Sequence, residues 1–133
     1  KKVRFTGMIW DANYEMNLKM ANDAYKTFLN PDLLILGMGS DGHTASLFPN
    51  DISSSISINE NQPALSNTSA PSEPKRRITL NKSFIFSSKT TYLLIKGNEK
   101  ASIVQGTMEN DYPISQFMPM LQDIYLSQKH HYE

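Results

Sequence analysis

Four apolar residues, Leu33-Leu34-Ile35-Leu36, run straight into Gly37-Met38-Gly39-Ser40-Asp41-Gly42-His43, and no other stretch restricts the fold so tightly. The lack of alternation fits a strand buried on both faces, and the glycines fit a turn at its carboxyl end. Ligands of open α/β sheets bind at that end of the strands. The Asp and His that follow the glycines therefore mark a candidate active-site loop.

A second unit of the same kind follows. Thr90 to Lys96 reads as a buried strand that stops at Gly97, and Asn98 is the expected cap of a helix through Lys100, Ala101, Ile103 and Val104 to Gly106. Strand-glycine-helix units in succession predict an α/β, Rossmann-like domain: a mostly parallel sheet with helices on both faces, in which Gly37 and Gly97 open on one edge.

The rest of the chain is read around these two units. Val3 to Trp10 is a strand or an extended entry. Asp11 is an expected N-cap and Glu15 suits a first turn. Tyr14, Leu18, Ala21, Tyr25 and Phe28 then recur at helical steps until Asn30-Pro31, giving an amphipathic helix that covers a sheet. Thr44 to Phe48 has room for only a short helical turn before Pro49. Asn50 to Ser72, rich in Ser and Asn, reads as a surface connection anchored by isoleucines and able to close over a ligand. A short strand is expected at Pro74 to Leu80, introduced by the basic triplet Lys75-Arg76-Arg77, with a second apolar stretch at Phe84-Ile85-Phe86, a helix around Phe117 to Leu121 and a last strand at Ile124-Tyr125-Leu126.

Length and charge narrow the function. The 133 residues suit one domain, 1–133, and 13 basic residues balance 13 acidic ones. That balance argues against nucleic-acid and membrane-surface partners, which call for a basic excess. No apolar run approaches the roughly 20 residues that span a bilayer. Without cysteine there is no disulfide and no thiolate chemistry, which fits an intracellular, cytoplasmic setting.

Several chemistries compete for the central turn. Gly37, Gly39 and Gly42 satisfy G-x-G-x-x-G, but a dinucleotide site also needs a long helix and a second strand with a ribose-binding acid, and Pro49 interrupts that course. Ser40 lacks the glycine two places before it that a nucleophile elbow requires. Asp41 and His43 alone are too few for a catalytic metal, so none is expected. General acid/base work by His43 remains, with Asp41 orienting the imidazole or the attacking water, and with turn N–H groups facing a developing oxyanion. The plainer alternative is that Asp41 and Gly42 only make a turn, which His43 caps.

Downstream charge tilts the balance toward an anionic substrate. Between Pro71 and Gln105 seven basic side chains face two acids. Arg77, beside a strand, and Lys100, in the first turn of a helix, are the best placed to hold a phosphate.

The run Leu36 to Pro49, together with Ala70-Pro71, Arg77-Ile78-Thr79-Leu80 and Gly97-Asn98-Glu99-Lys100, closely resembles the 6-phosphogluconolactonases. The resemblance implies hydrolysis, without a cofactor, of 6-phospho-D-glucono-1,5-lactone to 6-phosphogluconate in the oxidative pentose phosphate pathway. His43 would be the base, with Asp41 beside it. Gly37, Gly39, Ser40 and Gly42 would line the substrate, and Arg77 and Lys100 would hold its phosphate or other oxygens. The related glucosamine-6-phosphate deaminases share the Asp-Gly-His turn but place a glutamate five residues after the histidine, where this chain has Phe48. A sugar-phosphate sensor domain of a transcription regulator is the non-catalytic alternative. That family opens with a Gly-Gly-Ser/Thr phosphate loop, and nothing before Asp32 resembles one. The expectation is that the chain is the C-terminal part of such a domain.

Overall fold

The computed structural model describes residues 2–9, 12–106 and 111–127. Its centre is a parallel three-stranded sheet in the order β1 (Leu34–Leu36), β4 (Thr91–Lys96), β5 (Asp123–Ser127). Leu34 pairs with Thr91 and Leu36 with Leu93, so Gly37 and Gly97 lie at the carboxyl ends of adjacent strands, as expected. Beside this sheet stands an antiparallel hairpin of β2 (Leu65–Ser69) and β3 (Arg76–Leu80).

Four α-helices, α1 (Tyr14–Tyr25), α2 (Ile52–Asn59), α3 (Lys82–Phe86) and α4 (Asn98–Gln105), and three 3₁₀ turns complete the described elements. Asn13 caps α1 by accepting the Met16 N–H at 3.1 Å, whereas the expected cap, Asp11, lies outside the described residues. The sheet that α1 covers is the hairpin. Asn22 on its inner face brackets the Leu65 backbone, donating to the carbonyl at 3.0 Å and accepting the N–H at 2.8 Å. Ala21, Leu65, Ile78 and Phe84 form the apolar layer between them.

Three expectations are corrected, and one apolar stretch gains its element. The β1 strand is not buried on both faces: Leu36 is 4 % exposed, but Ile35 is 60 % exposed, on the sheet face that also bears Leu94 and Tyr125. Residues 44–48 form no helical turn but a tight double-back, with Thr44 bridging to both Met38 and Leu47 and Ala45 at φ 50. The 50–72 connection is built of α2 and β2 rather than of a loop. Phe84 to Phe86 belongs to helix α3, which Asn81 caps by accepting the Phe84 N–H at 2.8 Å.

Smaller differences lie at element ends. Val3 to Ile9 contains no strand. The N-cap of α4 is Gly97, at φ 92, with Asn98 the first helical residue. The helix expected near Phe117 is a pair of 3₁₀ turns, Pro113–Gln116 and Met118–Met120.

The main core packs Leu36, Leu93 and Ile95 of the parallel sheet against Met38, Leu47, Ile85, Ile114 and Phe117. Leu47 and Met38 thereby root both arms of the central turn in buried apolar contacts, and losing a fully buried Leu of this kind costs about 2–5 kcal/mol. The turn is held from below before any hydrogen bond is counted.

Candidate active site

The central turn is closed by its own backbone. The Gly39 N–H donates to the His43 carbonyl at 2.9 Å, and the Gly42 N–H donates to the Gly39 carbonyl at 3.1 Å. Thr44 Oγ1, fully buried, donates to the Gly37 carbonyl at 2.8 Å. Two glycines are obligatory here. A Cβ on Gly39 would overlap the His43 ring and come 2.7 Å from Asp41 Oδ1, and Gly42 lies at φ +77 with the Tyr112 ring where its Cβ would be. Gly37 has open space instead.

This folding brings the two predicted catalytic side chains together. Asp41 Oδ1 accepts the His43 backbone N–H at 3.1 Å and pairs with His43 Nδ1 at 2.5 Å. Burial by itself raises the Asp41 carboxyl, but its hydrogen bonds to the His43 backbone and imidazole outweigh that and hold it below the usual carboxylate value. The imidazole is about one-third exposed and lies against Phe48, ring centroids 4.7 Å apart. In the tautomer that donates Nδ1–H to Asp41, Nε2 is the ring nitrogen left with a free lone pair.

The hairpin supplies the next layer. Thr79 Oγ1 accepts the Ser46 N–H at 3.1 Å, and Thr68 Oγ1 donates to the Ser46 carbonyl at 2.6 Å. Arg77 pairs opposite Thr68 and is two residues from Thr79, so it shares the hairpin face that meets the turn. Arg77 Nε is buried with no hydrogen-bond partner among the described residues. Arg76, on the other face, sets its guanidinium 5.6 Å over the Tyr14 ring of α1. The two arginines, indistinguishable in sequence, thus point to different neighbours.

Of the other expected site residues, Ser40 is exposed on the turn, and Lys100 sits half-buried in the first turn of α4, at the sheet edge that also carries Gly37. Open clefts of about 540 and 400 Å³ flank the Phe48–Asp51 run. Asp41 lines the smaller and Tyr112 the larger, and His43 lines neither. Thr68, Thr79 and Tyr112 were not singled out by sequence; the only available signal was Thr79, two places from Arg77. Among the described residues no group of three or more His, Cys, Asp or Glu could hold a metal ion, and no helix is long and apolar enough to cross a membrane.

The chain is similar to several known proteins. The chain is 32% identical over 124 residues to a 6-phosphogluconolactonase of Pseudomonas aeruginosa, covering 88% of this chain and 52% of the relative. It is 30% identical over 114 residues to one of Helicobacter pylori, covering 86% and 49%. A crystal structure of a 6-phosphogluconolactonase from Shewanella baltica superposes with a TM-score of 0.80 at 29% identity, over 96% of this chain and 57% of that one. The chain thus spans about half the length of the relatives it matches. A family model described as glucosamine-6-phosphate isomerases/6-phosphogluconolactonase matches residues 10–126, and with that extent of agreement in sequence and fold the chain belongs to this family.

Proposed function

We propose that this chain carries the hydrolytic centre of a 6-phosphogluconolactonase, with His43 as general base. The observation that carries the reading is the Asp41–His43 pair, 2.5 Å between Oδ1 and Nδ1, at the carboxyl end of a parallel strand. It leaves Nε2 to take a proton from water as the water oxygen attacks the lactone carbonyl carbon. The tetrahedral oxyanion collapses, the bond from that carbon to the ring oxygen breaks, and the imidazolium returns the proton to the ring oxygen. The product acid, 6-phosphogluconate, then ionises. Asp41, held as a carboxylate, stabilises the imidazolium between the two transfers.

Phe48 favours hydrolysis over the deaminase chemistry of the family's other branch. A phenyl ring against the imidazole can neither share nor relay a proton. The unpaired Arg77 Nε and the half-buried Lys100 are the candidate groups for the substrate phosphate. Gly37, with open space where a Cβ would stand, and the exposed Ser40 leave the turn open to substrate, while Gly39 and Gly42 make room for His43 and Tyr112; a phosphorylated sugar lactone is the partner that this set fits.

The test is hydrolysis of freshly generated 6-phosphogluconolactone, above its spontaneous rate, by the protein and by its His43→Ala variant. An acceleration that falls by about 10²–10⁴-fold in the folded variant is expected. A parent protein that does not accelerate hydrolysis overturns the reading.

A further inference from the structure

The Gly42–His43 peptide is gripped at both of its polar ends. Its N–H donates to Asp41 Oδ1, the same oxygen that holds the imidazole, and its carbonyl accepts the Ile114 N–H at 3.1 Å. A peptide unit is planar and trans, so fixing the direction of the carbonyl fixes the direction of the N–H. Ile114 is fully buried and is followed at Phe117 by another fully buried side chain, which makes it a rigid post. Above the same peptide the Tyr112 side chain covers Gly42 so closely that Cβ, Cγ and Cδ1 lie 2.6–2.7 Å from where a Gly42 Cβ would stand.

We propose that Tyr112 is a positioning residue for the acid–base pair: pressed on Gly42, with Ile114 holding the carbonyl, it keeps the Gly42–His43 peptide turned so that Asp41 aims His43. This rests on the reading of His43 as the base. Gly42 at φ +77 is in a region that glycine leaves readily for other conformations, so the turn needs an external stop. Neither the Asp41 carboxylate nor the backbone bonds within the turn supply one, because all of them move with the loop. The Tyr112 segment comes from the far end of the chain, between α4 and β5, and belongs to the core. Its grip is on geometry and not on substrate, so it is felt in turnover more than in binding.

The experiment is a series at Tyr112 read in two independent ways: kcat and KM for lactone hydrolysis, and the proton NMR signal of the His43 Nδ1–H shared with Asp41. Tyr112→Ala is expected to lower kcat by on the order of 10–100-fold with KM within about threefold, and to broaden or abolish the Nδ1–H signal. Tyr112→Phe, which keeps the ring, is expected to preserve both. Tyr112→Leu, intermediate in cover, replaces the alanine variant if that one does not fold. Leu18→Ala, a change on α1 in the separate apolar cluster, controls for stability alone and leaves kcat and signal unchanged. A folded Tyr112→Ala or Tyr112→Leu with parental kcat and signal overturns the proposal, as do equal losses in Tyr112→Phe, which would assign the effect to the hydroxyl. If the parent fails to hydrolyse the lactone, the function reading fails, while the NMR series still decides whether Tyr112 sets the Asp41–His43 pair.

Discussion

The His43 imidazole rests on the Phe48 ring, centroids 4.7 Å apart, with the planes tilted at 44°. An apolar wall on one side and a carboxylate on the other leave the imidazole a single route for protons, through Nε2. Phe48→Glu would replace the apolar wall by a group that competes with Asp41 for the imidazole, and should lower kcat by about 10-fold or more. Because Phe48 is buried, Phe48→Leu is the companion variant that keeps the wall apolar, and its kcat should stay within a few-fold of the parent in steady-state kinetics.

Gly37 and Gly39 stand two residues apart in one motif and should respond in opposite ways to alanine. Gly39→Ala drives a Cβ into the His43 ring and should reduce kcat by about 100-fold or more, a misplacement effect. Gly37→Ala meets no protein atom within 4 Å and should leave kcat within a few-fold of the parent, any loss falling on KM. Steady-state kinetics on the two folded variants checks both.

Arg77 and Arg76 offer a second adjacent pair. Arg77→Ala should raise KM for the phosphorylated substrate and weaken competition by inorganic phosphate, because it removes a buried Nε–H that has no partner among the described residues. Arg76→Ala should leave KM unchanged and cost only about 0.5–1 kcal/mol of stability, through loss of the contact over Tyr14. Phosphate inhibition and thermal melts separate the two effects.

Asp41 and Asp51 should together govern the acid limb of stability. Burial alone raises the Asp51 carboxyl, but hydrogen bonds from the Ser54 side chain and from the Ser69, Ser54 and Ser53 backbone outweigh it and lower the group, as those from His43 lower Asp41. A carboxyl whose folded value lies below its unfolded one contributes stability that is complete above the unfolded value and is lost as pH falls through the folded one. Melting temperature should therefore decline below about pH 4 and hold above it. Asp51→Ala should cost about 0.5–2 kcal/mol at neutral pH, as the loss of an N-cap, and flatten the acid decline.

How far the sequence exposes this fold depends on where each element's information lies. The β1 strand and its turn are legible because an apolar run, three glycines and an Asp-Gly-His sequence act locally, and the Asp41–His43 contact spans only two residues. Helix α2 is not legible. Ile52-Ser53-Ser54-Ser55-Ile56-Ser57-Ile58-Asn59 is poor in strong helix formers, and the faces it buries carry Ser54 and Ser57. Its one local sign was Asp51 three places before Ser54, a capping interval that a serine-rich stretch disguises. Strand β2, Leu65-Ser66-Asn67-Thr68-Ser69, is similarly polar and owes its identity to pairing with β3. That pairing also sorts Arg76 from Arg77. Neighbours on a strand face opposite ways, and only the partner fixes which way is inward.

The double hydrogen bond on Ser46 carries a consequence for how the molecule breathes. Its N–H and carbonyl are both bound to hairpin threonines, one 33 residues and one 22 residues away along the chain. The far arm of the candidate active-site turn is thereby tied to the hairpin, and releasing that arm requires the hairpin to detach as well. Amide exchange at Ser46 should follow the slow collective opening of β2 and β3 and not the fast fraying of a surface loop. The setting of the Asp41–His43 pair is then a property of the two-sheet assembly, and any change that loosens the hairpin should reach that pair without touching it.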